Sequence, residues 1–323
     1  LKGNFDKNIS IYGNLKELTM KGKYKNIIIY GNLKELKMEG KYKDIIIYGN
    51  IDKITMEGIF NDIIIYGNLN ELTMERFFNN IIIYGNLNDL MIKGIFNYII
   101  IKNKIKSIYF ENCKNIFGDF KNCDKVFCRN CDNIFGNFNN LKINNEKLKK
   151  INIICNTNIL QIDNIIINIF YCNVNTLILR NLNENSNKIN DVDNLDKIFN
   201  NISYNNLKEL TISYLNIKEL NDKLINITKL IILSCNNLIN IPNTYINLKE
   251  LSIFDCKNSI NIPIYNNLEL LQIENCYNLL IDLNNYPNIK RIYGNYFDYI
   301  CDQILIKLKR INFIKNYYYL LNQ

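Results

Sequence analysis

The sequence contains no histidine, no alanine and no tryptophan, and valine and proline appear three times each. Without histidine there is no Ser–His–Asp triad, no Cys–His pair and no histidine-ligated metal site. The side chain most used as an acid or base near neutral pH is also missing. Without alanine the best helix former is gone. Arginine is scarce, so the net charge of +8 comes mainly from lysines interleaved with Asp and Glu. A nucleic-acid footprint would cluster Arg and Lys on one face, so no nucleic-acid partner is expected. No apolar run reaches the roughly 18–20 residues of a membrane span, so no membrane partner is expected either.

Ile, Leu, Lys, Tyr and Asn fill the space, with Asn at about a fifth of the 323 residues. Residues with GC-rich codons are depleted, which points to an AT-rich genome such as large DNA viruses and some protists carry. Much of the Asn and Lys then reads as mutational background. The favoured apolar residues suit strands. "NIIIYGNLKELKMEGKYK" at 26–43 returns as "DIIIYGNIDKITMEGIFN" at 44–61, "DIIIYGNLNELTMERFFN" at 62–79 and "NIIIYGNLNDLMIKGIFN" at 80–97. Each repeat divides into two halves with period-two alternation, Ile27-x-Ile29-x-Gly31 and Leu36-x-Met38-x-Gly40, with Gly near each bend. The expected unit is an 18-residue coil of two short parallel strands, a tight β-solenoid over 1–104. One coil buries five or six apolar side chains at roughly 1.5–3 kcal/mol each, against about 1–2 kcal/mol per residue of backbone entropy. A single coil fails alone; stacking supplies the missing neighbours.

From about residue 98 the repeats diverge. "ITKLIILSCNNLINIP" (227–242), "LKELSIFDCKNSINIP" (248–263) and "LELLQIENCYNLLID" (268–282) share one skeleton with "LKELTISYLNIKEL" (207–220), "IKSIYFENCKNI" (105–116) and "CDKVFCRNCDNI" (123–134). Starts at Leu207, Ile227, Leu248, Leu268 and Ile289 lie 20 or 21 residues apart. This segment resembles the leucine-rich repeat, LxxLxLxxN/CxL. The resemblance implies a β-rich α/β solenoid with a parallel sheet over 105–297, continuous with the tighter N-terminal part. An insertion near 183–203 should project as a loop. The tail over 298–323 has helical spacing at Ile300, Ile304, Leu308, Ile311 and Ile314 and reads as a C-terminal capping helix, with a partner-docking helix as the alternative.

Of ten cysteines, Cys113, Cys123, Cys128 and Cys131 include a Cys-x-x-Cys that four thiolates could use for zinc. Cys113, Cys131, Cys235, Cys256 and Cys276 fall on the ninth repeat position, which the resemblance makes an inward residue bonded to loop backbone. Buried structural thiols are the preferred reading, and neither a metal nor a disulfide is expected. The glycines at 13, 31, 49, 67 and 85 lack the phosphate-loop pattern, so no cofactor is expected. Glu39, Glu57, Glu75 and Lys37 read as a solvated charge ladder. Sequons at Asn8, Asn201 and Asn226 are chance products of an Asn-rich chain. The opening "LKGNFDKNIS" has no signal-like pattern, so an intracellular, cytoplasmic protein is expected.

Two surfaces stand out. The fifth and seventh positions should line a concave sheet with Tyr109, Phe127, Ile154, Ile178, Ile231, Leu233, Phe254 and Tyr293, chemistry that suits protein recognition. Opposite, Ile28 with Tyr30, and likewise Tyr48, Tyr66 and Tyr84, leave a strand apolar on both faces. That ladder either stacks for stability or binds a second copy or a partner. The expected function is a non-enzymatic scaffold for a protein partner. The alternative is a substrate receptor of an F-box-type ubiquitin ligase whose F-box lies outside the chain.

Overall fold

The structure, a computed structural model, describes residues 1–5, 8–146, 150–164, 167–181, 198–200, 202–203, 205–276, 278–279, 281 and 285–294. The chain forms two compact units, Leu1–Leu160 with Ile166–Cys172, and Gln161–Ile165 with Asn173–Gln323. Both are built of parallel strands.

In the first unit, β1 (Lys2–Phe5) and β2 (Ile9–Tyr12) lead into β3 (Leu15–Tyr30), β4 (Leu33–Tyr48), β5 (Ile51–Tyr66), β6 (Leu69–Ile83) and β7 (Leu87–Ile101). The pairing is parallel and displaced by one repeat, so Leu36 lies against Ile54 and Ile45 against Ile63. The expected return strand is present. The two halves of a coil are not separate strands, however: each runs on as one strand of 15 or 16 residues. The reason lies at Gly40, where φ is +137°. Positive φ turns the chain through the bend while its amide groups still aim at the coils above and below, so the ladder goes round the corner unbroken.

Alternation delivers the core. Leu36, Met38, Tyr42, Ile45 and Ile47 are at most 3% exposed, and the same five positions are buried in the next coil. Inside, Tyr42 stacks on Phe60 at 4.8 Å and Phe60 on Phe78 at 5.2 Å. At the second corner backbone bonds between coils continue on either side, Gly31 N–H to Tyr48 carbonyl at 2.9 Å and Leu33 N–H to Asn50 carbonyl at 3.0 Å, and asparagine side chains fill the gap between them. The side-chain oxygens of Asn14, Asn32, Asn50 and Asn68 each accept the backbone N–H of the equivalent Asn one coil on, at 2.8–3.0 Å. Those N–H groups would otherwise be unpaired at a bend.

The unit continues through β8 (Ile105–Glu111), β9 (Asn115–Phe120), β10 (Cys123–Arg129), β11 (Asn133–Asn144) and β12 (Ile151–Asp163). Coils now turn at a left-handed residue, Asn112 at φ 54° and Asn130 at φ 53°, where Asn pays little for positive φ.

β13 (Ile167–Arg180) enters the second unit, which adds β14 (Glu209–Ser213), β15 (Lys229–Leu233), β16 (Glu250–Phe254), β17 (Leu270–Glu274) and β18 (Arg291–Tyr293). Leu210, Leu230, Leu251 and Leu271 share one inward column at 0% exposure. Tyr214, Ser234, Asp255 and Asn275 hold the left-handed turn that ends each of β14 to β17. Among the described residues, the α component expected from the resemblance is limited to helical positions at 198–200 and 285. The return segments are stacked turns instead. Tyr245 donates its hydroxyl to the carbonyl of Asn221 (2.7 Å) and Tyr265 to that of Pro242 (2.8 Å). Asn247 and Asn267 amides donate to the carbonyls of Ile225 and Ile246. Carbonyls are thus satisfied from the next coil rather than along a helix. The capping helix expected over 298–323 lies outside the described residues, as do residues 183–197 and 201 of the insertion.

Candidate functional site

In the second unit the sheet face is built from two outward columns. One runs Ile178, Thr211, Ile231, Ser252, Gln272, Tyr293; the other runs Arg180, Ser213, Leu233, Phe254, Glu274. Strand alternation turns these side chains away from the core. Ile231, Leu233 and Phe254 come together here, all half-buried, with Leu233 directly opposite Phe254. Polar groups flank them: Gln272 donates to Glu274 (2.7 Å), and Lys229 pairs with Glu250 at 3.3 Å. Ile178 and Tyr293 sit at the two ends of their column, separated from Ile231 by Thr211 and by Ser252 and Gln272.

The first unit carries Tyr109, Phe127 and Ile154. Tyr109 and Phe127 are stacked at 5.1 Å in register, and Lys142 lies over the Phe127 ring at 5.8 Å. Ile154 stands on β12 and is 41% exposed. Beside the aromatic pair runs a charged column: Lys21, Glu39, Glu57, Glu75, Lys93, Glu111, Arg129. Lys21 pairs with Glu39 at 2.5 Å, Lys93 with Glu111 at 3.3 Å, and Arg129 with Glu146 at 2.6 Å. Its hydrogen bond with Lys21 and the attraction between their charges hold the Glu39 carboxyl below its usual range. Glu39, Glu57 and Glu75 therefore belong to a charge ladder with cations at both ends. Lys37 pairs instead with Glu35 of its own strand, at 3.0 Å.

Tyr30, Tyr48, Tyr66 and Tyr84 form a continuous outward stack with centroids 4.7–5.1 Å apart and planes within 5°. Each remains 38–41% exposed, while Tyr12 at the end of the stack is 71% exposed. The stack is held by its own members, and its outer edge is uncovered among the described residues.

The thiols face inward. Cys113 donates to the carbonyl of Ile92 and Cys131 to that of Phe110, each one coil back. Cys123 is pushed up to about 11 by burial. The sulfurs of Cys155 and Cys172 lie 3.2 Å apart, and the hydrogen bond between them, together with burial, pushes the Cys155 thiol up. Such thiols are poor nucleophiles. The asparagine ladder was missed from sequence, because an Asn-rich composition hides the fixed spacing of Asn14, Asn32, Asn50 and Asn68. Also missed were Ile225, Ile246 and Ile264, which are 46–63% exposed on the return turns.

Fold and surface together define a parallel β-solenoid repeat protein. No family model, no curated protein and no solved structure matches the chain. Among the described residues no helix is long and apolar enough to cross a membrane.

Proposed function

We propose that this chain is a non-enzymatic scaffold, its second unit a divergent leucine-rich-repeat array that presents its sheet face to a protein partner. The observation that carries this reading is the cluster Ile231, Leu233 and Phe254, outward on a rigid ladder and ringed by polar side chains. An apolar centre with a polar rim is the anatomy of a recognition patch. Strands fixed by their neighbours present it with little ordering cost on binding. The repeat spacing of 20–21 residues and the inward Cys235, Cys256 and Cys276 support the family reading. Lack of histidine and burial of the thiols support a role without catalysis.

The test is affinity capture with the intact protein beside a Leu233→Lys, Phe254→Lys double variant of unchanged circular dichroism. A partner held by the parent and lost by the variant supports the reading. Identical capture by both removes it.

A further inference from the structure

The Tyr–Gly–Asn corner is uniform from Tyr12-Gly13-Asn14 to Tyr84-Gly85-Asn86 and then changes chemistry. Leu87 pairs with Ile105 and Ile105 with Cys123, so Asn86, Lys104 and Asn122 follow one another at the same corner position. One residue earlier stand Gly85, Asn103 and Lys121; Lys102 takes the place of the tyrosine. Three successive coils thus frame an open depression of about 640 Å³, lined by Asn86, Lys102, Asn103, Lys104, Lys121, Asn122 and Asp124.

We propose that this depression binds a phosphate-type dianion, as inorganic phosphate or as a phosphate monoester. Three lysines stand against one carboxylate, a local excess of two positive charges. Lys104 is partly committed to Asp124 at 3.5 Å. Lys102 and Lys121 form no ion pair among the described residues, and nearby Asp119 accepts instead from the backbone N–H of Lys121 at 3.4 Å. Asn103 donates to the carbonyl of Tyr84 at 2.8 Å, which fixes the corner between the two flanking lysines. The asparagine ladder ends at Asn86: its backbone N–H is taken by Asn68, but its own side-chain amide has no partner among the described residues. The Asn86 amide and the Lys102 and Lys121 ammonium groups line one hollow, and such donors match a ligand of several acceptor oxygens and two negative charges. This proposal does not depend on the partner-binding face of the second unit.

Calorimetric titration of the intact protein at low salt and near neutral pH tests it, with inorganic phosphate in one arm and a phosphoserine peptide in the other. Saturable binding is expected in at least one arm. Lys102→Gln with Lys121→Gln should weaken it roughly tenfold or more, and Asp124→Asn should tighten it about threefold. Lys23→Gln with Lys41→Gln makes the same change in net charge at the other corner and should leave affinity unchanged. Tighter binding of the peptide than of phosphate assigns the dianion to a phosphorylated side chain; equal or weaker binding assigns it to the free ion. Three results would overturn the proposal: no saturable uptake at millimolar ligand in either arm, equal loss in the control variant, or tighter binding of a short DNA duplex, whose phosphodiesters carry single charges.

Discussion

Glycine at the solenoid corner is set by distance. A Cβ on Gly40 would lie 1.9 Å from the carbonyl oxygen of Gly22, a backbone atom of the coil before. Gly13 has a similar positive φ, +114°, but nothing within 4 Å. Gly40→Ala should therefore cost about 2–4 kcal/mol, and Gly13→Ala, strain alone, about 1–2 kcal/mol; urea midpoints of the two variants separate clash from strain. Arg76 is the exception in the column, a side chain at φ 96° among glycines at 131–148°. Its ion pair with Glu57 is 64% and 45% exposed and so contributes little. Arg76→Gly should raise stability by about 1 kcal/mol. A lowered melting temperature would mean the ion pair outweighs the strain.

At the scale of elements, two features of the strands separate fold from surface. Leu251 is fully buried in the inward column of the second unit. Leu251→Asp places an unpaired charge there and should unfold the neighbouring coils, at a cost above about 4 kcal/mol. A soluble variant with unchanged strand content would contradict the inward register. The tyrosine stack asks a different question, since its rings are exposed yet in contact. Tyr48→Ser with Tyr66→Ser removes the stacks at 5.1, 4.9 and 4.7 Å and should cost about 1–3 kcal/mol. An unaltered melting temperature would free the ladder from any part in stability.

For the whole molecule, burial of so many thiols ties stability to alkaline pH. The Cys123 thiol keeps its proton up to about 11 in the fold, against 9.0 for an exposed thiol. Above 9.0 the Cys123 thiol of the unfolded chain gives up a proton that the native chain retains, so the stability this group contributes falls as pH rises from 9.0 towards about 11. Cys113 and Cys155 are shifted in the same direction, each through a hydrogen bond to another thiol and through burial. Melting temperature should drop across that window, with Cys123→Val showing a shallower drop. Among the described residues nine cysteines are buried and should resist thiol reagents near pH 8 until the chain is unfolded, so rapid labelling of more than one of the ten thiols in the native protein would contradict their burial.

The sequence alone determined the solenoid, because period-two alternation repeated every eighteen residues has one way to bury its apolar side: coil upon coil, in register. It also determined which residues face inward, from Leu36 and Ile45 in the first unit to Leu251 in the second. It did not reveal that the two halves of a coil form one strand, since that depends on φ at Gly40 and on where its amides aim. Nor did it separate structural asparagine from compositional asparagine: Asn14, Asn32, Asn50 and Asn68 count because stacking brings each oxygen to the next N–H. The outward residues named in advance divided in the same way. Strand parity placed Ile231, Leu233 and Phe254 outside, but only the pairing of β15 with β16 set Leu233 against Phe254. The corner lysines gained meaning only in three dimensions, where successive coils bring Lys102, Lys104 and Lys121 around one hollow. Periodicity is a local property of the chain, whereas adjacency between coils comes from register, and register exists only once the coils are stacked.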